Sequence, residues 1–412
     1  MLLAASAIVL AWQTKLFDDL ISAVPFFGSV ADLMRGTTAT ETGGTSLKEA
    51  ARPLSIVITH QDGGRYGVKY DIDERNAVYE RTSSIFSESL GSASPPVEIS
   101  EGEWRAALSG PGIYFEYMTP VSLAVLNGWL GVRMPETAQD MLIRRLSVEI
   151  GEDRNRIYFQ EHESGLYFGA DTASTAGKAQ ELGAYNPNGA MFAFETGVAS
   201  AANAPYMLIM PGSFHPDIRA TAAGSAEELL DISLFALGFG NESPALYIDS
   251  TGVLVGVTPQ FNIRVDTYGG VLFRRIDGGL PLGGTERTLS ESEMIELARA
   301  IVADALGGTS GGAEIFFESF TYAEDIYSVF FGYYIAGGRV HLHEDGYAAR
   351  ISFRSGAVTE AELNFRSFSV AGERTGLMPE RQALAAAGGE FMLCYSCAGF
   401  EILHPFWVKY GI

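Results

Sequence analysis

Apolar and polar residues alternate along several short segments of this chain. Between Phe261 and Asp266, for example, Ile263 and Val265 alternate with polar side chains. A period of two places apolar side chains on one face of a strand and polar side chains on the other. Alternating or short apolar segments, separated by glycine-containing turns, predict strands over 53–59, 66–70, 113–117, 142–150, 156–161, 166–168, 206–210, 246–248, 252–257, 261–266, 271–275, 314–321, 328–334, 339–343, 348–353 and 361–367, with two more near the C-terminus.

A second pattern, a serine followed three residues later by a glutamate, predicts helix starts. In this capping box the serine oxygen accepts a hydrogen bond from a free backbone amide, and the glutamate accepts one from the serine amide. The pairs are Ser100 with Glu103, Ser225 with Glu228, and Ser290 with Glu293. The third helix should end at Gly307, and its apolar stripe is Met294, Leu297, Ile301, Val302 and Ala305. Two further helices are predicted over 74–90 and 379–387.

Runs of strands interrupted by single helices are typical of an α+β fold. The chain has 412 residues, more than the roughly 250–300 at which one hydrophobic core usually stops growing. We therefore expect two or three stacked domains of mainly antiparallel sheet with single packing helices. The predicted divisions are an N-terminal domain over 52–140, a middle domain over 141–240 and a C-terminal domain over 241–412.

The first twelve residues, Met1 to Trp12, contain no charge and a single polar side chain. As a helix they would span roughly 18 Å, compared with ~30 Å for the hydrocarbon core of a bilayer. Two interpretations stay open: a buried helix of a soluble protein, or a transmembrane anchor whose first residues are missing. We favour the anchor over 1–14, followed by a linker over 15–51. Its membrane-facing residues would be Leu2, Leu3, Ile8, Val9, Leu10 and Trp12.

The charge of the chain excludes one class of partner. With 28 basic and 50 acidic residues, the formal net charge is −22. A nucleic-acid-binding protein needs a basic surface to displace the counterions of the phosphates, so no nucleic-acid partner is expected. The same charge opposes docking on an anionic membrane surface.

Two clusters of residues carry candidate chemistry. His341 and His343 would share one face of a strand, with Asp345 nearby, and could ligate a metal ion. The alternative, which we favour, is that this segment runs into a hairpin turn that leaves both histidines exposed. Cys394 and Cys397 have redox spacing, but a strand points positions i and i+3 to opposite sides, which favours two structural cysteines.

Motifs for a zinc protease helix, a dinucleotide fold or a phosphate loop do not occur in the sequence. The glycine-rich run 307–312 contains the pattern G-x-S-x-G around Ser310, but it follows a predicted helix and lacks the strand-to-helix placement of a nucleophile elbow. The acidic pairs are numerous, and none is distinguished as an acid/base couple. We therefore predict a protein that is not an enzyme, with no catalytic residues, no metal and no cofactor.

At its two ends the chain resembles the YycH/YycI family, the membrane-anchored accessory regulators of a sensor kinase in low-GC Gram-positive bacteria. The sequence Val9-Leu10-Ala11-Trp12-Gln13 is similar to the end of the family's anchor helix. Further similarity lies in the last 150 residues or so, in segments that include 332–335, 361–365, 379–383 and 403–408. The motif residues there are Tyr333, Tyr334, Gln382, Leu403, Pro405 and Trp407.

The resemblance implies stacked α+β domains outside the membrane, a single-pass anchor and no enzymatic activity. It implies a sensor histidine kinase as partner, contacted by the anchor helix, with a sister anchored regulator as a second partner. Two alternatives from other classes stay open at this stage. One is a cell-envelope module that binds peptide or glycan, and the other is a metal-dependent hydrolase built on His341, His343 and Asp345.

Overall fold

A computed structural model describes residues 47–174, 182–276, 289–342 and 346–410. Within these ranges the fold is α+β and consists mainly of antiparallel sheet, as the sequence predicts. Two large sheets dominate, one from each half of the chain, and a few helices pack against them.

The first sheet has seven strands in the order β2-β1-β4-β5-β6-β7-β3, and all of its pairings are antiparallel. Its strands are β1 (Ser55–Thr59), β2 (Arg65–Val68), β3 (Val97–Ile99), β4 (Gly112–Ser122), β5 (Leu142–Glu149), β6 (Arg156–Glu161) and β7 (Tyr167–Asp171). A small separate pair follows, formed by β8 (Met191–Phe192) and β9 (Leu208–Ile209).

Helices cover both faces of the first sheet, which explains why every residue of β1 is buried. Ile56 and Ile58 of β1 pack in the same core as Phe86, whereas Val57 packs in a second core with Trp104. Successive strand residues point to opposite faces, so the two cores lie on opposite sides of the sheet. The helices of this half are α1 (Leu47–Ala50), α2 (Ile72–Gly91), α3 (Glu101–Ser109) and α4 (Leu123–Leu130).

The second large sheet has eleven strands. Ten follow the order β11-β12-β13-β14-β19-β18-β16-β17-β21-β23, and β15 pairs with β16 beside this path. The β17–β21 pairing is parallel, and the other pairings are antiparallel. Its strands are β11 (Ala245–Ile248), β12 (Leu254–Val257), β13 (Phe261–Val265), β14 (Gly270–Arg275), β15 (Glu314–Ala323), β16 (Ile326–Ile335), β17 (Gly338–Leu342), β18 (Ala349–Arg354), β19 (Ala357–Asn364), β21 (Phe391–Cys397) and β23 (Pro405–Lys409).

A third sheet joins distant parts of the chain: β10 (Phe214–Thr221) lies between β20 (Ser367–Gly376) and β22 (Ile402–Leu403). Neither β10 nor β20 is predicted from the sequence. Most of β20 is exposed and polar, and β10 contains a proline next to an irregularity in its pairing. Neither strand therefore has the apolar alternation that signals a buried face.

The helices of the second half are α5 (Ala226–Ala236), α6 (Glu291–Leu306) and α7 (Glu380–Ala387). The predicted apolar stripe of α6 is buried along its whole length, and the helix packs against α5 and four strands of the second sheet. All three predicted capping boxes are present. Gly307 ends α6 as predicted, although its φ of −59° is right-handed, so the left-handed cap that favours glycine is not used there.

The predicted boundary at residue 140 lies between two strands of one sheet, because β4 pairs with β5 from Gly112 to Ser122. The division into domains at residues 140 and 240 stays a prediction. The anchor over 1–14, and most of the linker over 15–51, lie outside the described residues. Among the helices that the structure does describe, none is both long enough and apolar enough to cross a membrane.

Candidate functional site at the junction of the two large sheets

The two halves of the chain meet at a surface that we call the sheet junction. Four glutamates from the second half meet hydrogen-bond donors from the first half there, and most of these donors are cationic. The glutamates are Glu296, Glu314, Glu380 and Glu390, and the donors are Lys69, Arg75, Trp129, Arg144 and Arg145. Opposite charges on the two halves favour this one docking arrangement over others.

Glu380 is the most deeply buried of these carboxylates, with a side chain only 1% exposed. It begins α7, directly after Pro379. Its Oε1 lies 3.2 Å from Lys69 Nζ and also accepts a hydrogen bond from the Tyr70 hydroxyl. Its Oε2 accepts from the backbone amide of Met210 at 2.7 Å. One carboxylate thus connects α7 to β2 and to the end of β9.

Glu390 lies just before β21 and is held by two neighbouring arginines of β5. Its Oε1 is 2.8 Å from Arg144 Nη2 and 2.5 Å from Arg145 Nη2. Both arginines also contact Glu116 of β4, at 3.4 and 3.0 Å. Arg144 stacks over the Tyr410 ring, with its Cζ 4.1 Å from the ring centroid. Two cations and two anions therefore form one partly buried network.

The electrostatics of this network fix the charge of Glu390. Burial alone would raise the pKa of this carboxyl, but Arg145 and Arg144 outweigh it and lower the pKa to about 2. Burial opposes the charge of Arg145 as well, and its acidic neighbours still raise the pKa of its guanidinium. A carboxylate held ionised in this way is a poor proton donor near neutral pH. The network is therefore suited to hold the two halves together and not to acid/base chemistry.

A cavity of about 270 Å³ opens at the sheet junction, with Glu314 in its wall. Part of its wall is aromatic, formed by Trp129 and by Phe316 of β15. The Trp129 indole donates to Glu296 Oε2 at 3.0 Å, and the same carboxylate pairs with Arg299 at 2.6 Å. Glu49 and Ala50 of α1 line the cavity too.

The motif residue Trp407 is part of an aromatic cluster next to Glu380. Its ring centroid lies 5.3 Å from that of His215 and 5.0 Å from that of Phe391, and its indole donates to the Met378 carbonyl at 2.8 Å. His215 also packs edge-on to Tyr70, at 4.6 Å. Burial, and then the nearby charge of Lys69, lower the pKa of His215 to about 4, so the imidazole is neutral near pH 7.

The other motif residues lie in the second and third sheets and on α7. The Tyr333 hydroxyl donates to the Asn364 carbonyl at 2.9 Å, and the Tyr334 hydroxyl donates to Glu318 at 3.2 Å. Leu403 is buried in β22, and Pro405 begins β23 opposite Tyr395. Gln382 is exposed on α7. Apart from Gln382, the packing of these residues accounts for their identity.

The residues of the metal hypothesis are only partly described. His341 is exposed on β17, whereas His343 and Asp345 lie outside the described residues. Across the described ranges, no group of three or more His, Cys, Asp or Glu side chains is arranged to hold a metal ion.

The two cysteines lie in β21, as predicted, and both are free and buried. Burial raises the pKa of the Cys394 thiol to about 11 and also raises the pKa of Cys397. Because the thiolate is the reactive form, both side chains are suited to packing.

Sequence reasoning missed the junction glutamates. Glu380 stands two positions before Gln382 in a segment selected for its family resemblance, yet it is Glu380 that is buried and Gln382 that is exposed. A glutamate in the first turn of a helix is common on a surface, because it interacts well with the helix dipole. Nothing in the local sequence distinguishes such a residue from one whose partners lie about 310 residues away.

The described fold is similar to that of YycH from Bacillus subtilis, known from a crystal structure. The TM-score is 0.59 at 12% sequence identity, and the match covers 89% of this chain and 95% of that chain. No protein-family model matches the chain, and no curated protein matches it in sequence. The YycH-like fold implied by the resemblance is thus confirmed. At this identity the similarity concerns the fold alone, and membership of the family stays a prediction.

Proposed function

We propose that this chain is an accessory regulator of a membrane sensor histidine kinase, which acts by protein–protein contact and not by catalysis. The observation that carries the proposal is the YycH-like fold over 89% of the chain, together with the anchor-like segment from Leu2 to Trp12. In this proposal residues 1–14 belong to a single-pass anchor, residues 15–51 form a linker, and the body is extracytoplasmic. The sensor kinase is the partner, with a sister anchored regulator as a second partner.

The sheet junction supports this role. If binding at the body is to affect the anchor, the two halves of the body must be held in a fixed orientation. Buried ion pairs such as Lys69–Glu380 supply this specificity, since any other arrangement would leave a charge without a partner. Helix α1, which lies at the end of the proposed linker, lines the cavity at this junction.

Crosslinking in native membranes tests the proposal. The full-length protein with a complete anchor is crosslinked, purified and examined by mass spectrometry. The expected result is recovery of a sensor histidine kinase, or of a second anchored protein, by the wild type. Recovery should be lost when the complete anchor is replaced by an unrelated transmembrane helix of equal length. Recovery of neither protein, with the chain found free in the cytosol, would overturn the proposal.

A further inference from the structure

The outermost strand of the second sheet, β11, is exposed along its whole length. It pairs with β12 on one side, and no described strand pairs with its other side. Its last three residues are large and apolar: Leu246 is 52% exposed, Tyr247 55% and Ile248 71%. Leu246 and Ile248 lie on one face of the sheet and Tyr247 on the other. This strand therefore presents apolar side chains on both faces.

The backbone of β11 also has groups available for pairing. The Asp249 amide donates to the Val253 carbonyl at 3.0 Å, in the same register as the rest of the hairpin. In an antiparallel ladder, hydrogen-bonded and non-hydrogen-bonded pairs alternate. Tyr247 and Ala245 therefore bond to β12, whereas the N–H and C=O groups of Leu246 and Ile248 point outward. No other described residue bonds to these outward groups.

Other sheet edges in the described chain carry features that prevent pairing. The outer backbone of β2 is bonded by the Asn188 side chain, which accepts from the Gly67 amide at 3.0 Å and donates to its carbonyl at 2.8 Å. The edge strand β3 has only three residues, includes Glu98, and follows two prolines. Strand β23 contains Pro405 and Lys409, and β15 contacts β4. Strand β11 itself contains no charge and no proline, although Pro244 precedes it, and no described strand covers its outer edge.

The surroundings of β11 are acidic. Between Arg219 and Arg264 the chain contains no lysine or arginine. This stretch includes β11 together with α5, which packs against β13 and β14 of the same sheet. Its acidic residues are Glu227, Glu228, Asp231, Glu242 and Asp249. Asp249 is paired with Arg264 of β13 at 2.9 Å, so the other four carry the excess negative charge. A segment that binds here is favoured if it carries positive charge.

We propose that the outer edge of β11 binds an extended segment of a partner protein, which adds to the second sheet as one more strand. The segment has apolar side chains at alternating positions and basic residues at its flanks. This inference deepens the proposed regulatory function and rests on it, because it names the surface through which a partner is held. A second copy of this chain is a worse occupant, since it would bring another acidic surface and a net charge of −22 to the same edge.

A peptide titration with the full chain tests the inference apart from any kinase. The probe is a fluorescent peptide of alternating valine and threonine with two arginines at each end, and its control has glutamates in place of the arginines. We expect saturable binding of the basic peptide, at least tenfold weaker binding of the acidic one, and weaker binding at higher salt. Hydrogen exchange of the Leu246 and Ile248 amides should slow when the basic peptide binds.

Two variants locate the binding. Replacing both outward residues, in L246K/I248K, adds positive charge to the edge and should weaken binding of the basic peptide by about tenfold or more. Ile248→Pro removes one outward N–H that β12 does not use, and should weaken binding as well. The matched control is Phe214→Lys, which changes an exposed apolar residue on β10 and should leave binding unchanged.

Three results would overturn the inference. The first is the absence of saturable binding by either peptide, and the second is binding that the β11 variants leave unchanged. The third is a concentration-dependent dimer that L246K/I248K abolishes, because it would assign the edge to a second copy. The proposed regulator role is tested separately by the membrane crosslinking. If the peptide binds at β11 but no kinase is recovered, the regulator role is overturned and the proposal that β11 binds an extended segment stands.

Discussion

Replacing Glu380 should show how strongly the sheet junction stabilises the protein. In Glu380→Met, Lys69 keeps a bond to the Leu208 carbonyl at 3.3 Å but loses its only described carboxylate partner while its side chain stays 8% exposed. The Met210 amide and the Tyr70 hydroxyl lose their acceptor as well. Removing one partner of a buried ion pair typically costs about 3–5 kcal/mol. We expect Glu380→Met to lower the free energy of unfolding by that amount.

The double variant K69M/E380M separates the ion pair from the rest of the site. It removes the unpaired buried charge but still leaves the Met210 amide and the Tyr70 hydroxyl without their acceptor, and each such loss costs about 1–3 kcal/mol. The double variant should therefore be more stable than Glu380→Met alone, although it has one more substitution. This ordering follows because an uncompensated buried charge is worse than an apolar side chain of similar size.

Urea unfolding followed by tryptophan emission measures both variants, since Trp407 lies 6.5 Å from Tyr70 between ring centroids. The control is Arg156→Met, which breaks a pair with Asp171 whose side chains are 40% and 57% exposed. That change should cost no more than about 1 kcal/mol. If Glu380→Met lowers the free energy of unfolding by no more than the control does, the argument that burial makes this ion pair important is refuted. A double variant that is less stable than Glu380→Met would refute it as well.

Three further predictions concern pH, a helix cap and the thiols. Stability should be constant between about pH 6.5 and pH 8 and fall as the pH is lowered from 6.5 to 2. His215 and Glu390 have folded pKa values of about 4 and 2, both lower than in the unfolded chain, so the unfolded state binds protons first. Glu390→Gln should flatten the lower part of a plot of urea midpoint against pH, and an unchanged slope would contradict this. Ser100→Ala should destabilise the protein by about 1 kcal/mol, because Ser100 Oγ accepts a hydrogen bond from the Glu103 amide at 3.2 Å. The control Ser109→Ala changes an exposed serine of the same helix and should have no effect. Equal shifts of the melting temperature for both variants would disprove the role of the cap. Cys394 and Cys397, buried and with raised pKa values, should react with a thiol reagent at pH 8 only after urea is added, and rapid labelling of the native protein would show that the thiols are accessible.

The sequence by itself predicts the α+β class and most of the elements, for a local physical reason. A capping box involves groups only three residues apart, so Ser100, Ser225 and Ser290 each mark a helix start. The alternation in β13 reflects a sheet with one buried face, whatever that face packs against. The resemblance at the chain ends goes one step further, since it anticipates the YycH-like fold.

Only the tertiary structure decides how the two halves meet and which edge is left open. Glu380 is one of 50 acidic residues, and its burial depends on Lys69 and Tyr70, about 310 residues earlier. Likewise, the sequence predicts a strand near 246–248, but whether that strand lies inside a sheet or at its edge depends on the order in which distant strands pair. Pairing over such distances is set by the fit of whole surfaces, and no short pattern in the chain encodes it.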